Sequence, residues 1–279
     1  MQAKIILDSV SHDGIRLTTF HLRYWRSIHA ELMTHRDFSR NARSSRAVPS
    51  KILLTEPIFI PTFGMNQPGM QASDEEVFPG LLERWEKEWG ELAEITRSYV
   101  KKWQADGMHK QWANRPLEWF GWIDVLVSST RYENFWALRV SEYAQPEFLD
   151  LATAMQKLML QSDPQLLRPG EWHLPYIQQE ELITYGLEVC KMLSAARCAR
   201  LSYKPFDGSD SLQAERDRYE RLVVSRPVHA SPVEHQATPD TGMKHVRPPY
   251  RIDWNNPEQH GNFHGWIQNR KLIPNEVVR

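Results

Sequence analysis

Apolar and polar residues alternate along "GIRLTTFHLRYW", from Gly14, and β-branched and aromatic types crowd it, so the pattern predicts a strand. The next stretch, "SIHAELMTHRDFS", changes to helical spacing through Ile28, Leu32 and His35. Pro49 and "EPIFIPTFGMNQPG" predict a loop-rich connection after it. From "SDEEVFPGLLERWEKEWGELAEITRSYVKKWQADG" the pattern is that of a long amphipathic helix. Its acidic start and its Lys101 and Lys102 suit the two ends of the helix dipole, and Gly107 is a natural stop. "HKQWANRPLEWFGWIDVLVSSTRYENFWALR" is apolar nearly all round and reads as a buried helix, with Pro116 at a kink or at its true start. "AQPEFLDLATAMQKLMLQ" predicts a further helix with Pro146 in its first turn. "DPQLLRPGEWHLPYI" is a proline-rich connection, and "EELITYGLEVCKMLSAARCARLSY" and "SLQAERDRYERLVV" are helical again. From about residue 238 the density of proline, glycine and asparagine is that of loops.

Bulk properties narrow the classes. A chain of 279 residues has ample material for a buried core. With 25% charged residues and a formal net charge of −1, it has no field to hold a nucleic-acid polymer along its length, although a local anion site remains open. Its two cysteines, Cys190 and Cys198, have no metal spacing, which argues against a disulfide framework and favours a reducing compartment. The start "MQAKIILDSVSHDG" has no apolar signal region, and no stretch approaches the roughly 18 apolar residues of a membrane span. The expectation is a soluble, cytoplasmic protein with no membrane partner.

Three stretches hold candidate chemistry. In "ELMTHRDFSRNARSSRAVP", His35, Ser39 and Arg43 lie four apart, Arg36 and Arg40 form a neighbouring row, and Ser44 and Arg46 follow. Guanidinium forks mixed with hydroxyls suit a phosphate; a solvated basic helix face is the competing reading. In "NFWALRVSEYAQPE", Arg139 sits in an apolar setting, which fits either an ion pair with Glu142 or Glu147 or a ligand contact. "HASPVEHQATP" crowds His229, Ser231, Glu234 and His235 together. No matching third ligand supports a metal there, and without a G-x-S-x-G elbow a hydrolytic triad has little support.

Taken together, these stretches resemble the flavin-dependent thymidylate synthases. The signature of that family, RHRxxSxNExSxRY, is echoed by "THRDFSRNARSSRA", which keeps His35, Arg36, Ser39, Asn41, Ser44 and Arg46. Its "NxxxLR…AQxE" segment is similar to Asn134, Leu138, Arg139, Ala144, Gln145 and Glu147, and its "AARxSY" and "GHxSPxEH" segments are similar to "ARLSY" and "HASPVEH". The last of these precedes the signature in the family but follows it here, so the chain resembles a circular permutation. The permutation implies that residues 229–237 pack beside the strand near residues 16–24. Thr34, Ala42 and Ala47 stand where the family has arginine, glutamate and tyrosine, Glu31 replaces a glutamine, and Trp112 replaces an arginine. Arg270, Asn275 and Glu276 of "RKLIPNE" repeat part of the signature spacing, as either a substitute for it or a surface loop.

The resemblance implies an α/β (α+β) fold with a mixed sheet and long helices, forming one domain over residues 1–279 with a loop-rich extension from about 238. It implies FAD as cofactor, with methylenetetrahydrofolate and NADPH as co-substrates in the reductive methylation of dUMP to dTMP by a cytoplasmic homotetramer without a metal. A hydroxymethylase acting on dUMP or dCMP, and a non-catalytic nucleotide-binding relic with tryptophan-rich helices, are the alternatives. Carried over by position, Arg139 is the catalytic residue. Glu31, Thr34, Arg43, Ser44, Arg46 and Arg115 would contact the nucleotide, with Lys110 an alternative to Arg115. His35, Arg36, Ser128, Thr130, Asn134, Ser202, His229 and Ser231 would contact FAD. Neither cysteine has the setting of a nucleophile, so the chemistry would rest on the flavin and on electrostatic activation of the base.

Overall fold

The protein is described here from a computed structural model covering residues 1–73, 75–201, 211–248, 250–274 and 276. Its strands are β1 (Gln2–Ser11), β2 (Arg16–Trp25), β3 (Ser39–Ala42), β4 (Trp122–Ser129), β5 (Gln165–Leu167), β6 (Ala237–Pro239), β7 (Gly242–Lys244), β8 (Ile252–Trp254) and β9 (Trp266–Gln268). The helices are α1 (His29–Leu32), α2 (Ser50–Thr55), α3 (Pro79–Ala105), α4 (Lys110–Ala113), α5 (Glu133–Arg139), α6 (Pro146–Gln161), α7 (Gln179–Ala199) and α8 (Leu212–Tyr219). The first five strands form one mixed sheet in the order β3-β4-β2-β1-β5, parallel only between β1 and β5. The chain is therefore a mixed α/β protein. None of the described helices is long and apolar enough to cross a membrane.

Alternation along the strands gives the sheet two unlike faces. Phe20, Leu22 and Tyr24 of β2 and Ile123, Val125 and Val127 of β4 pack with Phe135 of α5 and with Phe148, Leu151 and Met155 of α6 in one apolar core. The intervening residues, among them Thr19, Asp124 and Ser128, face the other way, and Thr19 and Ser128 are completely buried although polar. Residues 173, 194–198, 231–236 and 266–268 cover this second face, and hydrogen bonds rather than apolar contacts hold much of it together.

Several expectations change. The apolar stretch from His109 is not one buried helix: it is α4, a 3-10 turn (Arg115–Phe120), the strand β4 and then α5. β4 lies inside the sheet with both faces covered, so it lacks the polar alternation that marks a half-exposed strand. Residues 39–42 are a strand too, so the proposed helical rows His35/Ser39/Arg43 and Arg36/Arg40 do not form. β1, for which no strand was expected, pairs with β2 across the turn at Gly14. α3 starts at Pro79, after the acidic residues expected in its first turn, and ends before Gly107, whose φ of 87° suits glycine.

Gly186 interrupts α7 with φ 75° and ψ 169°, a region open essentially to glycine alone. The bend lets Glu181, near the start of α7, pair with Arg197, near its end, through two hydrogen bonds of 2.8 and 2.5 Å. A side chain at Gly186 would meet nothing within 4 Å, so the penalty for Gly186→Ala is backbone strain alone. The variant is expected to lose about 1–3 kcal/mol of stability, read as a lower denaturation midpoint in urea. An unchanged midpoint would show that the bend is not strained.

Candidate functional site

Strand β3 lies at the sheet edge, where the three chemically marked stretches meet. Arg139 closes α5, and its guanidinium spans two groups from the segment before β3. Nε donates to His35 Nε2 at 3.1 Å, and Nη1 donates to Glu31 Oε2 at 2.7 Å. The same guanidinium lies 4.5 Å from the ring centre of Phe148. Its Nη2 makes no hydrogen bond among the described residues and is available to an acceptor. The ion-pair partner is thus Glu31, not Glu142 or Glu147. Glu147 is buried and instead accepts from the Thr62 N–H and from Gln145 Nε2, at 2.7 and 2.8 Å.

His35 accepts from Arg139 at Nε2, so the neutral ring carries its proton on Nδ1. Burial, followed by the charges of Arg139 and Arg40, brings its pKa down to about 4. Arg40 Nη1 donates to the carbonyls of Met33 and His35 at 2.9 and 3.1 Å, fixing the turn that carries the imidazole. Glu234 acts on the same guanidinium, partly offsetting the effect of its burial, and this links the turn to the 229–237 segment.

That segment packs on β3 and β4. Ser231 Oγ donates to Asn41 Oδ1 at 3.3 Å, and Asn41 Nδ2 donates to the Cys198 carbonyl at 2.6 Å. His235 Nδ1 is hydrogen-bonded to Ser128 Oγ at 2.8 Å, and Ser128 Oγ to Thr19 Oγ1 of β2 at 2.6 Å. His173 continues the chain, bonded to Thr19 Oγ1 and Ser9 Oγ, each at 2.8 Å. The segment therefore reaches the strand at 16–25 through the Ser128 hydroxyl, and Ala237 at its end joins Leu17 of that strand in one buried apolar cluster. Burial pushes both His173 and His235 down to about 3, so both rings are neutral. Ser128 is fully buried and both its bonds point inward, so it can support a site only from beneath.

The C-terminal segment covers the end of β4 in the same chain. Thr130 Oγ1 accepts the His264 N–H at 2.9 Å, while Gln268 Nε2 and Asn262 Nδ2 donate to Ser39 Oγ at 3.0 and 3.4 Å. Burial, Arg131 and His260 lower the His264 pKa. Ser129 Oγ donates to the Asp37 carbonyl at 3.0 Å, which brings Arg36 and Arg131 to this end of the strand. Arg36, Arg131 and Asn134 are exposed, and their side chains have no hydrogen-bonding partner among the described residues. Sequence reasoning missed His173, Thr19, Asn262, His264 and Gln268. The usable signal was "HGNFHGWIQ": Gly261 and Gly265 have φ of 59° and 69°, and a Cβ at either would collide with Gln268 or Trp254.

The other expected residues are more dispersed. Arg43 is already paired, through two bonds of 2.8 and 2.9 Å to Glu56 and a 3.3 Å approach to Asp124. It lines a cleft of about 810 Å³ with His21, Arg23, Asp124 and Arg197. Ser44 is half-buried and Arg46 exposed. Arg115 is exposed and bonded to Glu118 at 3.0 Å. Thr34 donates its hydroxyl to the Glu31 carbonyl at 2.7 Å, and the exposed His229 donates its backbone N–H to the Leu222 carbonyl at 2.7 Å. Ser202 and Asn275 lie outside the described residues. Both cysteines are buried, and burial raises both thiol pKa values, as expected of packing groups rather than nucleophiles.

Arg139, His35 and Glu31 form one hydrogen-bonded corner, Arg36, Arg131 and Asn134 supply open donors, and a neutral hydroxyl–imidazole chain holds the strands beneath. No family model matches this chain, and no curated protein matches it.

Proposed function

We propose that this protein is a flavin-dependent thymidylate synthase, converting dUMP to dTMP with methylenetetrahydrofolate as one-carbon donor and NADPH as reductant. The observation that carries the reading is convergence at one edge strand. Arg139 bonds His35 across 104 positions of sequence, and Ser231 bonds Asn41 across 190. These are the stretches on which the resemblance rests, and a permuted order demands their meeting.

The residues present fit FAD. Its pyrophosphate needs cationic and amide donors that are not already spent, and Arg36, Arg131 and Asn134 are exposed without side-chain partners among the described residues. Arg36, Asn134, Thr130 and Ser231 would hold the cofactor, with His35 behind them, and the bound flavin supplies hydride chemistry. Arg139 would donate from Nη2 to the pyrimidine and stabilise negative charge developing on the base, while Glu31 and His35 hold the fork still. Ser44 and Arg46 would take the nucleotide phosphate. A homotetramer is the assembly that accompanies this reading.

Expression in a thymidine-requiring cell tests it. Wild type is expected to restore growth without thymidine, and failure by well-expressed protein would contradict the proposal. Purified enzyme offered dUMP or dCMP, with and without NADPH, distinguishes the hydroxymethylase: hydroxymethylated product without net reduction would replace the reading.

A further inference from the structure

α3 runs for 27 residues and lays only part of its circumference on the protein. Ala93 and Val100 are buried, and Trp89 packs against the main core. On an adjoining side Leu92, Ile95 and Tyr99 are 50%, 54% and 53% exposed, three and four residues apart, in one unbroken apolar stripe. Charged residues bracket the stripe on the same side, Arg84 and Glu88 before it, Lys102 and Asp106 after it. At about 100° per residue all seven positions fall within an arc of roughly 100°.

The order of these charges is self-complementary about Ile95. Glu88 lies as many positions before Ile95 as Lys102 lies after it, and Arg84 and Asp106 are likewise equidistant. Each mirrored pair joins opposite signs. The helix as a whole runs from acid to base, as the Glu88 and Lys102 pair does: 79–94 holds Glu83, Glu86, Glu88, Glu91 and Glu94 against Arg84 and Lys87, while 95–105 holds Arg97, Lys101 and Lys102 with no acid. A face that needed only to be wetted would not require three large apolar side chains in one stripe.

We propose that this face of α3 is an interface with a second copy of the same chain, the two helices antiparallel about a two-fold axis at Ile95. A two-fold contact uses the same patch on both partners, so it requires a sequence matched to its own reverse. Leu92, Ile95 and Tyr99 then form a dry centre. Glu88 meets the partner subunit's Lys102, Arg84 meets the partner subunit's Asp106, and symmetry repeats each pair, giving a polar rim. Within one chain Arg84 and Glu88 stand 3.7 Å apart with both side chains more than half exposed, a weak pair free to exchange partners. The interface lies outside the residues assigned to chemistry and does not depend on the proposed activity.

Sedimentation of the full chain tests the proposal, with far-UV spectra and unfolding midpoints to confirm that each exposed substitution leaves the fold intact. Wild type is expected to sediment as an even multiple of 32.7 kDa. Ile95→Lys sets like charges against each other on the axis, and should halve the assembled mass or weaken association by about tenfold or more. Glu88→Lys and Lys102→Glu should each weaken it, because each turns two attractions into repulsions, and the double variant should recover the wild-type mass. A monomeric wild type, an Ile95→Lys protein that assembles like wild type, or a double variant no better than the singles would each overturn the interface.

Discussion

Arg139→Ala is expected to lower kcat/KM for dTMP formation by about 10²- to 10³-fold, the scale for removing one preorganised charge that faces the reacting group. Three contacts preorganise Arg139: the His35 ring, the Glu31 carboxylate and the face of Phe148. Because Nε and Nη1 are used within the chain, the guanidinium cannot swing, and Nη2 presents a donor of fixed direction. Arg139→Lys should recover little, since an ammonium cannot serve two fixed acceptors and a ligand in one plane. The fold should survive. The Glu31 side chain is 38% exposed and can be hydrated when its partner goes, so the stability loss should stay near 1–2 kcal/mol. Turnover by Arg139→Ala within a few-fold of wild type would remove Arg139 from the catalytic role. A large loss of stability instead would make it a structural residue.

Acid is expected to destabilise the protein from about pH 6.5 downward, before most carboxylates titrate. His173 and His235 are fully buried, and burial depresses each from 6.5 to about 3. In the unfolded chain both rings take up a proton as pH falls below about 6.5, whereas the folded chain resists until about 3. Stability is therefore full above pH 6.5 and falls as pH drops through that window, by about 1.4 kcal/mol per pH unit for each histidine. His35, depressed to about 4, adds to the loss in the same direction. From pH 6.5 to 4.5 the two buried rings alone cost about 5 kcal/mol, the whole stability of many domains. Urea denaturation at a series of pH values reads this directly, and His235→Gln should flatten the dependence by about one proton. A midpoint constant between pH 7 and pH 5 would contradict the neutral, buried network at Thr19, Ser128 and the two rings.

These effects differ in how far the sequence disclosed them. β2 was legible because one of its faces is apolar and the other carries Thr19, His21 and Arg23. α6 was legible from Pro146 and an apolar side at helical spacing. β4 was not, because a strand covered on both faces has no alternation to distinguish it from a buried helix. Arg139 stood out as a charge among apolar neighbours, but nothing local identified Glu31, 108 positions away, as its partner. His173 had still less signal. It lies in a proline-rich connection without periodicity, and its place between Ser9 and Thr19 follows only from tertiary packing. The candidate site was thus readable as residue types in three stretches, while the pairings that fix their charge states were not.

The most direct test of the central claim is a flavin titration of the purified protein followed by addition of dUMP, with wild type beside Arg139→Ala and Arg36→Ala. Wild type should bind one FAD per chain, and dUMP should perturb the bound flavin spectrum. Arg139→Ala should keep the flavin and lose the dUMP response, whereas Arg36→Ala should bind flavin more weakly. A folded wild-type protein that neither carries nor takes up FAD would contradict the account.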